Sequence, residues 1–435
     1  MPHVSPIQKS HEQAEAILAP WGPPLVDGQP PILVVQTYGE LELEYAAIRR
    51  SCVILDQPQR STLSVVGTDR LTFLNRMVTQ ELKPLGSPGS LAAARSFWLS
   101  RKGRIDSDLT IASLGTRFTD PQSPEILIDV DAHAAARTIA GLSAFIIADD
   151  VTITDISATV HRLAIHGRLA PELLDACLTP EETSPAPSSL KNLQGGRYTI
   201  LGLQEPLALF RADALAEPGF EFFVPAPHAE FVYRRFIEEG SDPGLTIDGS
   251  KPTIGHRVKL RPAGWAASNI ARIEAGTPIY NIDFGPESFP AESSILSDRV
   301  SFTKGCYLGQ EIVARMHNLG HPKQRLVALL CDSTPLDPAS GLPSQPVGSG
   351  PVYRIPSDSL DPNWAPGEGD LVGRITSASL APMRGSAPVA FAQVRWDHSH
   401  PGTRLAVLAN GLPARATIQP ILAFFPHSPR ESLKA

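Results

Sequence analysis

The spacing of apolar residues predicts a helix, a strand and a second helix near the start of the chain. Apolar side chains recur every three or four positions over residues 39–52, which predicts a short amphipathic helix. Residues 61–66 are strand-like and lead through a turn into a second helical segment over residues 70–82. Thr68 or Asp69 is the expected N-cap of that helix.

Later segments continue to mix strands with helices. Helical spacing returns over residues 131–146 and 229–240. The strand-like runs cover residues 97–112, 125–131, 151–157, 159–167 and 221–226. Because several strands follow one another without a helix between them, the pattern favours an α+β fold over a doubly wound parallel sheet.

The last quarter of the chain has a different pattern. Short β runs without helical spacing between them predict a small antiparallel barrel or sandwich; they cover residues 325–332, 371–379, 388–396, 403–409 and 412–421. Two loops rich in Pro, Gly and Ser, 333–350 and 356–369, are long enough to be insertions. The expected domains are an N-terminal extension (1–37), a large domain (38–322), the β-barrel (323–425) and a tail (426–435).

Composition excludes several classes of protein. The 435 residues are 42% hydrophobic and 19% charged, which is enough apolar material for a sizeable core and excludes disorder throughout. A net charge of −7 argues against non-specific nucleic-acid binding. No apolar run approaches the roughly 18 residues of a spanning helix. The first residues lack a basic and apolar leader pattern, so we expect a cytoplasmic protein.

Common catalytic and metal motifs are absent from the sequence. It contains neither a phosphate-binding loop, a dinucleotide fingerprint, a nucleophile elbow nor the zinc-protease pair of histidines. The cysteines at positions 52, 177, 306 and 331 are too widely spaced to indicate a disulfide framework or a zinc site. His317 and His321 have the spacing of a metal pair, but Gly320 and Pro322 lead us to interpret them as loop residues.

The segment KGCYLGQE, residues 304–311, is the most informative motif. Two glycines four positions apart let the backbone turn around Cys306, and Lys304 and Arg315 could lower the pKa of its thiol. The alternative is a buried small residue in a turn before a helix that starts near Gln310.

Acidic and basic residues in three other places could serve a ligand. If residues 272–274 alternate along a strand, Arg272 and Glu274 share a face and either pair together or hold a planar ligand. Asp106 and Asp108 follow a turn at the start of a strand, where a carboxylate orients a ligand or caps the turn. Glu221 interrupts an apolar strand, so it must be paired, used, or exposed at a solvated edge.

These segments, taken in order, resemble the tetrahydrofolate-binding superfamily that includes the aminomethyltransferase (T-protein) of the glycine cleavage system and the YgfZ-type iron–sulfur maturation proteins. The resemblance begins at EYAAIRRSCVILDQPQRSTLSVVGTDRLTFLNRMVTQEL, recurs in SRKGRIDSDLTI, AIHGRLAPELL, GFEFFVP and ARIEAGTPIY, and ends with KGCYLGQEIVAR. It covers most of residues 38–325. It implies a three-lobed folate-binding, aminomethyltransferase-like domain followed by the family's C-terminal barrel.

The cysteine motif is similar to that of the YgfZ branch, whose members bind folate and support iron–sulfur cluster assembly or repair. Aminomethyltransferases lack this motif. They usually carry adjacent aspartates where this chain has Ser107 and Asp108, and this departure speaks against aminomethyl transfer.

The resemblance also implies roles for individual residues. Asp108, with Asp106 as a substitute, and Glu221 would receive the amino and ring N–H groups of the pterin. Arg272 would meet the glutamyl tail of folate or brace an acid. Cys306, with Lys304 beside it, matches the functional cysteine. The remaining candidates for cofactor binding in that motif are Tyr307, Gln310 and Glu311.

We therefore expect a tetrahydrofolate-binding protein that assists iron–sulfur cluster assembly or repair. Its partners would be folate and iron–sulfur assembly or client proteins, without nucleic acid, membrane or a bound metal. One alternative is a folate-dependent aminomethyltransferase or other one-carbon transferase, and another is an adaptor whose folate cavity has decayed. Whether the chain catalyses a reaction stays open at this stage.

Overall fold

The computed structural model describes residues 4–86, 92–114, 124–181, 184–241, 259–338, 340–355 and 370–425. The α-helices in these ranges are α1 (Gln8–Gln13), α2 (Leu41–Arg50), α3 (Arg70–Met77), α4 (Ala132–Ser143), α5 (Ala170–Cys177), α6 (Ala229–Ser241), α7 (Trp265–Ala275), α8 (Leu296–Arg299) and α9 (Gln310–Leu319). The first strands are β1 (Ile17–Pro20), β2 (Leu33–Thr37), β3 (Cys52–Asp56), β4 (Arg60–Val66), β5 (Ala93–Leu99), β6 (Ile105–Ala112), β7 (Ile126–Asp131), β8 (Thr152–Asp155), β9 (Val160–His166) and β10 (Leu178–Pro180). The later strands are β11 (Gly195–Ile200), β12 (Leu207–Arg211), β13 (Gly219–Pro225), β14 (Leu260–Pro262), β15 (Gln324–Ser333), β16 (Pro351–Arg354), β17 (Leu371–Ala381), β18 (Ala387–Arg395), β19 (Arg404–Ala409) and β20 (Leu412–Ile418).

The chain divides into two compact units that do not follow the order of the sequence. The first unit contains Met1–Trp98, Ser107–Ser268 and Thr303–Tyr307, and the second contains Leu99–Asp106, Asn269–Phe302 and Leu308–Ala435. The domain bounds expected from the sequence stay predictions.

Within its described residues, the first unit contains three sheets. A seven-stranded sheet has the order β10-β11-β12-β13-β9-β3-β14, a five-stranded sheet has the order β5-β6-β7-β4-β8, and β1 pairs with β2. Within the seven-stranded sheet β14 runs parallel to β3, and the neighbours of β13 run antiparallel to it. The structure therefore confirms a mixed α+β architecture. Because β13 lies between β12 and β9, the solvated edge considered for Glu221 is wrong.

One face of the seven-stranded sheet supplies the main core of the first unit. Phe220 and Phe222 of β13 pack there with apolar residues of α5 and α6, and both are fully buried. Ile7 from the N-terminal extension belongs to the same cluster and is also fully buried. Burying a large apolar side chain contributes about 1.5–3 kcal/mol, so the extension is part of the folded unit.

A buried polar network fastens the extension to β3. The Asp56 carboxylate lies 2.8 Å from His11 Nε2 and 2.6 Å from His161 Nε2, and it accepts a 2.6 Å hydrogen bond from the Ser5 hydroxyl. Its side chain is 2% exposed. Burial raises the pKa of Asp56, but the contacts with His161 and His11 outweigh burial and hold the pKa below its usual value. Such a carboxylate stabilises the fold only while its partners remain in place.

Asp56→Asn removes the charge that both histidines contact while keeping the size of the side chain. We expect the variant to lose about 3 kcal/mol of unfolding free energy, because both rings are left without their anionic partner in a buried place. Urea denaturation measures the loss. Asp27→Asn, on an exposed loop, is the matched control and should change the free energy of unfolding by less than about 0.5 kcal/mol. Equal stability of the two variants would contradict the assignment.

The second unit contains a closed six-stranded barrel. Its strand order is β15-β18-β17-β16-β19-β20, and β20 closes the barrel by pairing antiparallel with β15. The predicted antiparallel barrel is confirmed, although β16 was not foreseen, because it is four residues long and begins with proline. The predicted insertion 356–369 lies outside the described residues.

Two local predictions differ from the structure. Helix α3 ends at Met77, and its N-cap residue Asp69 makes no side-chain cap hydrogen bond. The Asp69 carboxylate accepts instead from the backbone N–H of Asp150, and the Thr68 hydroxyl donates to the Asp150 carboxylate. Asp69 is thus the N-cap residue, as predicted, but it makes no side-chain cap because the Thr68 and Asp69 side chains bond with Asp150, which is distant in sequence.

Arg272 and Glu274 also differ from expectation, since they lie in helix α7 and not in a strand. Residues two positions apart on a helix do not face each other, so the predicted shared face was wrong.

Candidate functional site

A chain of alternating charges connects the two large sheets of the first unit. Arg60 on β4 binds Asp129 on β7 through two hydrogen bonds of 3.1 and 2.8 Å. Asp129 Oδ1 also lies 3.3 Å from Arg162 Nε on β9, and Arg162 Nη2 donates to Glu221 Oε2 on β13 at 3.1 Å. The sequence Arg60–Asp129–Arg162–Glu221 is called the ion-pair chain below.

Arg162 is the central residue of the ion-pair chain and is 1% exposed. Its guanidinium lies 3.9 Å from the centre of the Phe223 ring and donates to the carbonyl oxygen of Phe222 at 3.0 Å. Burial raises the pKa of Asp129, but Arg60 and Arg162 outweigh burial and hold it below the usual value. The charges in this chain therefore depend on one another, because each is costly to bury alone.

Glu221 ends the ion-pair chain at a partly open position. Its side chain is 15% exposed, and its Oε1 lies 3.6 Å from His166 Nε2. The buried Nδ1 of His166 and Nε of Arg162 have no hydrogen-bond partner among the described residues. Of the three possibilities considered from the sequence, Glu221 is paired, and it retains acceptor capacity for a ligand.

Asp108 lies at the other end of the same charged region. Arg60 on β4 is paired with Asp131 on β7. On the other side of β7, Leu109 of β6 is paired with Val130, so Asp108, the residue before Leu109, comes next to Asp131. Burial lowers the pKa of Arg60, but the negative charges of Asp129, Asp131 and Asp108 outweigh burial and raise it. The charges of Arg60, Asp129 and Arg162 thus link Asp108 to Glu221, while a shared ligand site stays a prediction. Asp106, the substitute considered above, belongs to the second unit.

The segment 20–24, called the strap below, reaches Asp131 from the N-terminal extension. Trp21 Nε1 donates to Asp131 Oδ2 at 3.4 Å, and the Pro23 carbonyl oxygen lies 2.9 Å from His133 Nε2. Trp21 also contacts Trp265 edge to face, with ring centroids 4.8 Å apart. These residues were not among the predicted site residues, although a tryptophan between Pro20 and Gly22 is a signal that the sequence carries.

His133 is a titratable residue that binds the strap. The hydrogen bond with Asp131 raises the pKa of His133, and burial opposes it without outweighing it. We expect the His133 ring to titrate above the usual value of about 6.5. The protonated ring donates through both nitrogens, so its contribution is complete at low pH and is lost as the pH rises through the raised pKa.

An NMR titration of the histidine rings measures the pKa of His133. In the matched variant Asp131→Asn the pKa should return toward its usual value, because the anionic acceptor is gone. A wild-type pKa at or below about 6.5 would contradict the proposed fastening.

The cysteine-bearing segment 303–307 is held by Lys304. The Lys304 ammonium donates to the backbone carbonyls of Asn75, Val78 and Gln80, each at 2.7 Å, beyond the end of α3 and in its last turn. Burial lowers the pKa of Lys304 to about 8. Since each of its three N–H groups donates to one of these carbonyls, Lys304 has an anchoring role that the sequence did not predict. Its expected influence on the Cys306 thiol stays a prediction.

Cys306 is exposed, in contrast to the alternative of a buried small residue. Its thiol has no disulfide, hydrogen-bond or ion-pair partner among the described residues. Tyr307 is buried next to it, its ring centre 5.4 Å from Lys304 Nζ, and burial raises the pKa of Tyr307 to about 12. The loop thus turns its cysteine outward while the residues on either side hold it in place.

Lys304→Met removes the three hydrogen bonds and leaves the carbonyl oxygens of α3 and the following turn without their donor. We expect a loss of about 2–3 kcal/mol in unfolding free energy and faster proteolytic cleavage near residue 304. Urea denaturation and timed protease digestion measure the two effects. The exposed lysine variant Lys102→Met is the control. Cleavage at the wild-type rate in Lys304→Met would show that the anchor is dispensable.

The second unit holds the remaining predicted site residues. Arg272 is 2% exposed, and its guanidinium binds Asp283 at 2.7 Å and the Ser377 hydroxyl at 2.7 Å. Of the two expected roles for Arg272, bracing an acid matches this contact, while a role in folate binding stays a prediction. Gln310 and Glu311 form the first turn of α9, after the positive-φ residue Gly309. The predicted helix start near Gln310 is confirmed.

The structure confirms the loop prediction for His321 and contradicts it for His317. His317 lies within α9 and stacks on Phe302 at 4.0 Å between ring centres, so its placement in a loop was wrong. His321 stacks on Trp396 at 5.0 Å. No cluster of three or more potential metal ligands occurs among the residues that the structure describes. Within the same ranges, no helix combines the length and apolar character that a membrane crossing requires.

Comparison with known proteins agrees with this architecture. A solved structure titled as the glycine cleavage system aminomethyltransferase T of Bartonella henselae has a TM-score of 0.73, covers 98% of both chains and is 19% identical. The chain thus has a mixed α+β T-protein-like fold with a closed six-stranded barrel in its C-terminal region. Residues 36–304 match the family model described as the GCVT N-terminal domain. The chain belongs to this family.

Curated relatives share about a quarter of their residues with the chain. The aminomethyltransferase of Caldanaerobacter subterraneus subsp. tengcongensis is 25% identical over 65% of this chain and 67% of its own length. The aminomethyltransferase of Streptomyces avermitilis is 25% identical over 84% of each chain. An aminomethyltransferase of Bacillus cereus is 24% identical, and the matched part spans 62% of its length, less than two thirds.

Proposed function

We propose that the protein binds tetrahydrofolate and assists the assembly or repair of iron–sulfur clusters through Cys306. The observation that carries this proposal is the exposed thiol of Cys306, presented by a loop that Lys304 anchors. The resemblance of the segment KGCYLGQE to the YgfZ motif supports it further. Folate and iron–sulfur assembly or client proteins are the proposed partners.

The residues around the ion-pair chain fit a folate. A pterin carries an amino group and ring N–H groups, and these require anionic or carbonyl acceptors. Glu221 and the half-buried Asp108 offer carboxylate oxygens, and Arg162 keeps Glu221 in a defined direction. Bound tetrahydrofolate supplies one-carbon chemistry, and these residues would bind and orient it.

Cys306 would act toward a cluster that is the substrate and not a resident group. Thiolate is the form of cysteine that binds iron or attacks sulfur, and an exposed position lets another protein reach it. An added Cβ at Gly305 would have no atom within 4 Å, so the backbone beside Cys306 is open on that side. The thiolate would then meet a cluster, a sulfur species or a thiol of the partner.

A second function is favoured by the names of the relatives. The curated proteins at 24–25% identity are called aminomethyltransferases. In that case Asp108 would orient the reactive nitrogen of folate, and Cys306 would be dispensable. An adaptor without folate binding is the third class that an experiment has to separate.

The decisive experiment compares a deletion strain complemented with wild type, Cys306→Ala or Cys177→Ala. Iron–sulfur-dependent enzyme activities in the cell are measured in each strain. Cys177 is a suitable control because it is half-buried and burial raises its pKa to about 12. We expect wild type and Cys177→Ala to restore the activities and Cys306→Ala to leave them at the deletion level.

Other outcomes identify the other functions. Full rescue by Cys306→Ala, together with folate-dependent aminomethyl transfer by the purified protein, would replace the proposal with the transferase. Calorimetry without heat of folate binding would indicate the adaptor. Normal activities in the uncomplemented deletion strain would refute a role in cluster maturation.

A further inference from the structure

The strap lies outside the part of the chain that matches the family. The family model starts at residue 36, whereas the strap comprises residues 20–24. It nevertheless binds two neighbouring residues of the charged region, Asp131 at the end of β7 and His133 in the first turn of α4. Because hydrogen bonds are directional, these contacts fix the position of the strap more precisely than apolar packing alone would.

The backbone of the strap is shaped for close approach to His133. Gly22 has a φ of +69°, and a Cβ built there would come within 3.0 Å of the His133 ring. A residue with a side chain would be strained in this conformation and would push against the ring. The turn therefore brings Trp21 and Pro23 down onto the end of β7.

Trp21 borders the carboxylate row that contains Asp108. Its indole N–H binds Asp131, and Asp131 is a cross-strand neighbour of Arg60. Asp108 follows on the next strand, and its charge acts on Arg60 together with that of Asp131. An indole attached to Asp131 is thus placed beside the acceptors that a flat, amino-bearing ligand would need.

Two half-buried indoles are in contact beside Asp131. Trp21 and Trp265 are each neither buried nor fully exposed, and their rings are 4.8 Å apart at 85°. This edge-to-face contact holds Trp21 in one orientation while part of its surface stays available. A pair of large aromatic side chains, one of them bound to a carboxylate, forms the mixed surface that recognises flat heteroaromatic rings.

We propose that Trp21, supported by Trp265, forms an aromatic wall of the ligand site next to Asp108 and selects for the flat rings of folate. The inference rests on the proposed folate binding and adds a residue that determines specificity. The N-terminal strap supplies this residue, and the strap lies ahead of the family match. The carboxylates would accept the N–H groups of the ligand, and the indole would contact its ring system.

Calorimetric titration with 5-formyltetrahydrofolate tests the proposal on the full chain. We expect Trp21→Ala to weaken binding about tenfold or more, because a large aromatic contact is lost. Trp21→Phe should stay within about threefold of wild type, because it keeps a ring at the same place. Trp396→Ala removes a half-buried tryptophan of the second unit and is the matched control, expected to bind like wild type.

A second measurement on the wild-type protein does not depend on the folding of any variant. Hydroxyl-radical oxidation followed by mass spectrometry reports the exposure of each tryptophan with and without the folate. We expect the ligand to protect Trp21 and to leave Trp396 unchanged. Folate binding with unchanged affinity in Trp21→Ala, or without protection of Trp21, would overturn the aromatic wall alone. Absence of folate binding by wild type would overturn both this inference and the proposed function.

Discussion

The pairing of buried charges is the constraint on which the candidate site depends. Arg162 is almost fully enclosed, and it is tolerated only because Asp129, Glu221, the Phe222 carbonyl and the Phe223 ring surround its guanidinium. These partners come from both large sheets of the first unit. Removing any one carboxylate would leave an uncompensated positive charge, so the positions of the strands and the direction of Glu221 are held together by the same interaction.

The requirement that a buried charge has partners also explains two other features of the first unit. Lys304 can be buried because three backbone carbonyls accept hydrogen bonds from its ammonium group, and the loop held in this way exposes Cys306. Asp56 is buried because two histidines and a serine surround it, and one of those histidines belongs to the N-terminal extension. In each case a charged side chain fixes a segment that is distant in sequence.

Glu221 and Asp108, the two acids considered for the ligand, have different surroundings. Glu221 is held on one side by Arg162 and keeps acceptor capacity on the other. Asp108 on β6 lies in a row of cross-strand positions with Asp131 on β7 and Arg60 on β4, and Asp131 is bound by the indole of Trp21. In the proposed site, a ligand would meet fixed acceptors and an aromatic surface, the combination that suits a flat, amino-bearing molecule.

The sequence by itself determined the α+β class, the barrel strands with strong alternation, and the motif that contains Cys306, because these depend on local spacing and residue type. It also limited Glu221 to being paired, used, or exposed at an edge, since an acid in an apolar strand cannot be buried alone. Only the tertiary structure decided which partner that is, that Arg272 belongs to a helix and binds Asp283, and that the strap reaches Asp131. Those contacts join residues from 11 to more than 100 positions apart, and no local pattern specifies them.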